Sequence, residues 1–142
     1  MGEGPGRGTA AVSERVRLPD ERQSVTKKLT IHSTVVGDVK MYVQVGFYPD
    51  GRPGEIFLKT DRVGNTISGM LDALSMSISV ALQAGVPLSW FVEKMKNLQF
   101  EPSGPTNDPK VRYATSIVDG LARWLEYRFP TGAGPSEPPT PG

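Results

Sequence analysis

The chain has 142 residues, with 16 basic and 15 acidic side chains, one histidine and no cysteine. This length is typical of one domain, and the lack of cysteine excludes disulfides, thiol chemistry and the usual zinc ligand sets. A net charge of +1, with no basic stripe, argues against a nucleic-acid partner held by phosphate contacts.

The two ends of the chain differ in composition from its middle. Residues 1–20 are rich in Gly, Arg and Glu, and residues 130–142 read PTGAGPSEPPTPG. Such segments bury too little apolar surface to offset the entropy of ordering them, about 1–2 kcal/mol per residue for the backbone. The sequence predicts a disordered arm over 1–20, one folded domain over 21–129 and a disordered tail over 130–142. Without an apolar run of membrane-spanning length or a signal-peptide pattern, we expect a cytoplasmic protein.

Three strands are predicted in the first half of the domain. Alternation over residues 25–33 indicates a half-buried strand, and residues 40–48 are rich in Val, Tyr and Phe, as strands prefer. One face of the second strand would carry Met41, Val43, Val45 and Phe47. Turn residues over 49–54 lead to a third strand over 55–60. The pattern predicts an antiparallel meander.

Helical spacing follows. Asn65 or Thr66 can cap a first helix, which Gly85 followed by Pro87 would end. Its apolar stripe consists of Ile67, Met70, Leu71, Leu74, Ile78, Ala81 and Leu82. A shorter helix is expected from residue 87 or 88 to 97, with Trp90 or Phe91 and Met95 turned inward.

After a loop over residues 99–109, the spacing predicts a third helix over 110–128. Its apolar side would carry Tyr113, Ile117, Leu121, Trp124 and Leu125. Strands and helices segregated in this way indicate an α+β fold, a three-stranded antiparallel meander followed by three helices packed on one face.

The loop before the first helix is a candidate phosphate site. Backbone N–H groups and the dipole at a helix N-terminus favour an anion, and nearby cationic side chains add charge. The candidate ligand-binding residues are Lys59, Arg62, Gly64, Asn65 and Thr66. Simple helix capping by Asn65 and Thr66 explains the same pattern, so both interpretations stay open.

Three further polar residues are loop candidates. Glu101 and Ser103 open the loop before the third helix, either as ligand contacts or as anchors of the loop. Asp119 and Arg123 lie four apart on that helix and predict an i,i+4 ion pair. The sequence does not fix the distance between Glu101 and Asp119, so no catalytic residue and no metal ligand is assigned. The lone His32 lies in a strand pattern and is interpreted as structural or exposed.

Six stretches together resemble a known family. They are LPDER at 18–22, GRPGEIF at 51–57, GNTISG at 64–69, ALQAGVPL at 81–88, FEPSG at 100–104 and SIVD at 116–119, with RWL at 123–125. In order and spacing they are similar to the C-terminal domain of adenosylcobalamin-dependent ribonucleotide reductases, also called the TSCPD domain. Thr115 and Ser116 open the matching motif and Asp119 closes it, with Ile117 in place of Cys and Val118 in place of Pro.

This resemblance implies a place in the ribonucleotide reductase system, which supplies deoxyribonucleotides for DNA synthesis. The family enzymes use adenosylcobalamin, a large catalytic barrel and redox cysteines, whereas this chain has no barrel and no cysteine. We therefore expect no bound cofactor and no catalysis by this chain on its own.

Two functions are compatible with the resemblance. The first is a stand-alone accessory or regulatory domain that binds the catalytic chain, a nucleotide or both. The alternative is an independent nucleotide- or nucleic-acid-binding module that uses the helix-start loop as a phosphate site. A homo-oligomer would form if an edge strand of the sheet stayed open.

Overall fold

The computed structural model describes residues 14–61 and 66–130. The first three strands form one antiparallel sheet in the order β1-β2-β3, and β4 pairs with β5 in a short ribbon. The elements are β1 Ser24–Ser33, β2 Gly37–Phe47, β3 Pro53–Thr60, α1 Thr66–Gln83, α2 Leu88–Met95, β4 Gly104–Pro105, β5 Tyr113–Ala114 and α3 Ile117–Arg128. The predicted α+β fold, a three-stranded meander followed by three helices, is confirmed.

The hydrophobic core lies between one face of the sheet and the helices. The alternation of β2 buries the predicted set Met41, Val43, Val45 and Phe47. The helices contribute Leu71, Ile78, Leu82, Leu88, Val92, Leu121 and Leu125. Phe129, just after α3, lies 5.6 Å from the Phe47 ring and 5.9 Å from the Trp124 ring, and so joins the sheet to the last helix. None of the helices in the two described ranges combines the length and the apolar character that a membrane crossing requires.

The third helix begins later than the spacing predicts, at Ile117 rather than at residue 110. The Asp108 carboxylate accepts the N–H groups of Lys110 and Val111 at 2.8 and 3.1 Å, which bends the chain into a turn. Residues 113–114 then form β5, and Tyr113, expected on the apolar side of the helix, is 55% exposed.

Two other side chains differ from the expected faces. The spacing places Met70 in the apolar stripe of α1, but it is 67% exposed because it is turned about 100° around the helix axis from the buried Leu71. In α2 the inward aromatic residue is Phe91, which packs against the core, whereas Trp90 is exposed. Met95 is buried, as predicted.

The N-terminal segment contacts the domain well before β1. The Val16 N–H donates to the Gln83 carbonyl at 3.0 Å, and the Tyr48 hydroxyl donates to the Val16 carbonyl. Val16, in the stretch that composition assigns to the arm, therefore lies against the end of α1 and against Tyr48, just beyond β2. The rest of the predicted arm and the tail from residue 131 lie outside the described residues.

Helix α1 covers the outer edge of β3 with polar side chains spaced four apart. The Ser75 hydroxyl accepts the Leu58 N–H at 2.9 Å. The Ser79 hydroxyl accepts the Ile56 N–H at 2.9 Å and donates to the Ile56 carbonyl at 3.0 Å. These hydroxyls take the place of a neighbouring strand at three backbone groups, the N–H groups of Ile56 and Leu58 and the carbonyl of Ile56, which are then not available to pair with a second sheet.

The opposite edge, on β1, is covered by the loop before β5. Asn107 accepts the Thr30 N–H through its side chain at 2.8 Å and donates its own backbone N–H to the Thr30 carbonyl at 3.2 Å. Gly104 permits this approach, because a Cβ there would lie 2.3 Å from the His32 carbonyl oxygen. A homo-oligomer formed by pairing of edge strands requires free backbone groups on those edges, and these contacts occupy part of both edges.

The edge contact at Ser79 predicts a clear stability effect. Ser79→Ala leaves both backbone groups of Ile56 without their partner, and we expect the free energy of unfolding to fall by about 1–3 kcal/mol in urea denaturation. Ser77→Ala is the matched control, because within the described residues the exposed Ser77 hydroxyl donates to the Ala73 carbonyl of its own helix and not to β3. Equal stability of the two variants would contradict the edge-covering role.

Candidate functional site

The predicted phosphate site is described only at its two ends. Lys59 is exposed on the outer face of β3, opposite Tyr42 of β2, and Thr66 is the exposed first residue of α1. Arg62, Gly64 and Asn65 lie outside the described residues. The site at this loop therefore stays a prediction.

Glu101 anchors its own loop. Its carboxylate accepts the Ser103 N–H at 3.0 Å and the Ser103 hydroxyl at 2.9 Å, and it also accepts the Ser33 hydroxyl at 3.3 Å. The two Ser103 donors lower the pKa of Glu101. Because Ser33 ends β1, these bonds tie the loop to the sheet. Of the two roles that the sequence leaves open for Glu101 and Ser103, the geometry provides the anchor.

Asp119 is fully buried and joins two helices. Its carboxylate accepts the Asn97 N–H at 2.6 Å and the Thr115 N–H at 2.9 Å. It also accepts the Arg123 Nε at 2.9 and 3.0 Å, which is the predicted i,i+4 pair. Burial alone would raise the pKa of Asp119, but these donors hold it below its ordinary value.

Residues around Asp119 add further hydrogen bonds between the end of α2 and the start of α3. The Ser116 hydroxyl caps α3 by accepting the Asp119 N–H at 2.9 Å. Asn97, just beyond α2, has φ +73°, a left-handed conformation in which Asn is enriched, and its side-chain oxygen accepts Arg123 Nη2 at 2.6 Å. Every oxygen of Asp119 thus has a donor, which fits a structural role and leaves no carboxylate oxygen for general base work.

The two residues inside the motif are apolar and face the protein interior. Ile117 is 3% exposed within the core, and Val118 packs against the core from its border. The position that carries Cys in the family motif therefore points inward in this chain, not toward solvent. The sequence analysis placed Ile117 on the apolar side of the third helix, and its burial confirms that placement.

A second buried carboxylate, Asp108, was missed by the sequence analysis. Lys27 lies opposite Val43 on the inner face of the sheet, and its Nζ is 2.6 Å from Asp108 Oδ2. The Tyr127 hydroxyl donates to the same oxygen at 2.6 Å. The available signal was the alternation of β1, which places Lys27 between Val25 and Leu29 on the buried face and so requires an anionic partner.

The protonation states in this cluster are set by the same contacts. Burial alone would raise the pKa of Asp108, but donors from Lys27, Tyr127 and two backbone N–H groups lower it to about 2. Burial, followed by the hydrogen bond to Asp108, raises the pKa of Tyr127 to about 12. At neutral pH the Asp108 carboxyl is ionised and the Tyr127 phenol keeps its proton, so neither group exchanges a proton near pH 7.

The single histidine of the chain, His32, does not belong to a buried cluster of this kind. His32 Nδ1 lies 2.9 Å from Asp38 Oδ1 beside the turn of the β1–β2 hairpin, where both side chains are about half exposed. Over residues 14–61 and 66–130, no group of three His, Cys, Asp or Glu side chains could hold a metal ion.

The chain was also compared with known proteins. A family model described as the TSCPD domain matches residues 12–129. A vitamin B12-dependent ribonucleotide reductase of Rhodopirellula baltica is 45% identical over 118 residues, which cover 83% of this chain and 11% of that protein. The enzyme of the same name from Streptomyces clavuligerus is 46% identical over 115 residues, covering 81% and 11%.

A more distant relative of the same name, from Bradyrhizobium diazoefficiens, is 38% identical over 117 residues, covering 82% of this chain and 9% of that protein. The chain thus spans about a tenth of the length of the curated relatives it matches. No solved structure matches it.

Proposed function

We propose, from the premise that this chain belongs to the TSCPD domain family, that it is a non-catalytic accessory or regulatory domain of the ribonucleotide reductase system. It would support deoxyribonucleotide supply for DNA synthesis by binding the catalytic chain. The observation that carries this proposal is the family match over residues 12–129, together with identities of 38–46% to proteins named vitamin B12-dependent ribonucleotide reductase.

The chemistry of the side chains favours binding over turnover. Reduction of a ribonucleotide in this family requires a thiyl radical and a reducing dithiol, and the sequence contains no cysteine. The buried carboxylates Asp108 and Asp119 are both saturated by donors that hold the fold together. We therefore expect the domain to act through binding of a partner to its surface.

Adenosylcobalamin, which the family implies, does not fit the donor set of this chain. The cofactor serves to generate a radical on a thiol, and there is no thiol to receive it. The single histidine already pairs with Asp38 on the hairpin. We therefore assign no cobalamin-dependent step to these residues.

A direct binding experiment tests the proposal. We expect the purified chain to form a complex with the catalytic chain of a vitamin B12-dependent ribonucleotide reductase from the same cell, measured by mass photometry and calorimetry at micromolar concentrations. We also expect no deoxyribonucleotide from this chain alone with ribonucleotides, adenosylcobalamin and a dithiol. Absence of a complex, or turnover by the isolated chain, would refute the proposal.

The alternative proposal is a nucleotide-binding module that uses the loop between β3 and α1. It is supported by the exposure of Lys59 and Thr66 at the two ends of that loop, at the start of an 18-residue helix. A nucleotide at 100 times its Kd would stabilise the domain by about 2.7 kcal/mol, which a thermal-shift assay detects. Loss of this shift in Arg62→Ala, with binding to the catalytic chain unchanged, would favour this function.

A further inference from the structure

The solvent-exposed face of helix α1 carries little charge. Among its exposed positions only Asp72 is charged, and the others are Thr66, Gly69, Met70, Ala73, Met76, Ser77 and Val80. Met76 is 66% exposed and Val80 is 43% exposed. Because they lie four apart, their side chains form one apolar patch on a helix that is apolar on its inner side as well.

A groove of about 490 Å³ runs beside this patch. Met76 and Val80 form one wall, and Phe57, which projects from the outer face of β3 and is 43% exposed, adds an aromatic ring. The opposite wall is the N-terminal segment, with Arg15 and Arg17. We call this feature the α1 groove.

The polar groups at the bottom of the α1 groove are already engaged. The hydroxyls of Ser75 and Ser79 bond to the backbone of β3. The Gln83 side chain donates to the Gly54 carbonyl at 3.0 Å and accepts Arg15 Nε at 2.7 Å. The bottom of the groove therefore has few polar groups left to form hydrogen bonds with a nucleotide base. It suits an apolar side chain better than a nucleotide.

The groove is lined by three arginines and two carboxylates, Asp20 and Glu55, so its net charge is positive and favours an anionic occupant. Arg22 is neutralised by Glu55, with its Nε and Nη2 at 2.7 and 2.9 Å from the two carboxylate oxygens. Arg15 bonds to a neutral amide, and neither Arg15 nor Arg17 has a carboxylate partner among residues 14–61 and 66–130. Two guanidinium groups beside an apolar patch are complementary to carboxylates that flank an apolar residue.

We propose that the α1 groove docks an acidic segment of the catalytic reductase chain. An apolar side chain of that segment seats between Met76, Val80 and Phe57, and its carboxylates bind Arg15 and Arg17. The flexible thioether of Met76 adapts to the side chain that enters. This inference rests on the proposed function and adds to it the surface and the chemistry of the partner.

The test measures the Kd of the catalytic chain for four variants by calorimetry. Met76→Glu and Arg17→Glu are each expected to raise the Kd at least tenfold, because one buries a charge in the patch and the other repels the acidic segment. The matched controls are Val35→Glu, at an exposed apolar position on the β1–β2 turn, and Arg112→Glu, at an exposed basic position before β5. Both controls are expected to bind within twofold of the wild type, and all four should keep the wild-type Tm.

The outcomes separate the two proposals. If the wild-type chain binds and the groove variants bind equally well, the groove assignment is wrong while the proposed function stands. If the wild-type chain does not bind at all, both fail. If ATP or dATP raises the Tm of the wild type and Arg17→Glu removes that shift, the groove is a nucleotide site and the docking proposal is overturned.

Discussion

Asp119→Ala is expected to lower the free energy of unfolding by about 2–4 kcal/mol, because the buried carboxylate accepts two backbone hydrogen bonds and pairs with the partly exposed Arg123. The loss leaves the N–H groups of Asn97 and Thr115 without an acceptor inside the protein. It also releases the Arg123 guanidinium, which holds the Asn97 side chain. Because Asn97 follows α2 and Thr115 precedes α3, the junction of two helices depends on one carboxylate.

Urea denaturation followed by tryptophan fluorescence would measure this effect, because unfolding exposes the buried Trp124. Asp72→Ala is the matched control, since Asp72 is exposed on α1 and its removal should change stability by less than about 0.5 kcal/mol. Hydrogen exchange supplies a local readout, because the amides of Asn97 and Thr115 should lose protection first. A loss of stability below about 1 kcal/mol, with both amides still protected, would show that Asp119 does not link α2 to α3 in solution.

The parts of the fold that were predicted correctly are those in which one local pattern decides the structure. Alternation over β1 and β2 requires a half-buried sheet, and the spacing from Leu71 to Leu82 requires a helix. The segment before α3 was predicted wrongly because Tyr113 continues the helical spacing of Ile117 and Leu121. In the protein, backbone contacts made by the Asp108 side chain outweigh that spacing.

In the candidate site, too, local contacts were predicted from the sequence and contacts between distant segments were not. The pair of Asp119 and Arg123 follows from a spacing of four on one helix, so the sequence predicts it. Asn97, 22 residues earlier in the chain, also donates to the Asp119 carboxylate. It reaches Asp119 because α2 packs against α3. The role of the motif as a helix junction therefore depends on tertiary packing, which periodicity does not describe. The α1 groove was missed for the same reason, since its walls come from three separate segments.

The motif itself gains a physical interpretation from this packing. Ser116 and Asp119 are three apart, as in a capping box, and the Ser116 hydroxyl caps the helix that Asp119 ties to α2. These two contacts involve neither Ile117 nor Val118. The framework of the motif can therefore persist in a chain in which its central cysteine is replaced, while the chemistry of a thiol cannot.

The second large effect is expected at Asp108 and depends on pH. The pKa of this carboxyl is lowered from 3.8 to about 2 in the folded protein, so its ionised form stabilises the native state. This stabilisation is fully present above pH 3.8 and is lost as the pH falls toward 2. The difference in pKa corresponds to about 2 kcal/mol by linkage. Asp119, whose pKa is also lowered, loses its contribution on acidification as well.

Asp108→Asn separates the contribution of this one carboxyl. The amide oxygen can still accept the N–H groups of Lys110 and Val111, so the turn is kept, but the charge that holds Lys27 is lost. We expect the variant to be about 2 kcal/mol less stable than the wild type at pH 7, and the difference to shrink toward zero at pH 2. Urea titrations at steps of pH between these limits would measure it. A difference that stays constant with pH would mean that the native pKa of Asp108 is not lowered, and that the Lys27 ammonium finds its counter-charge elsewhere.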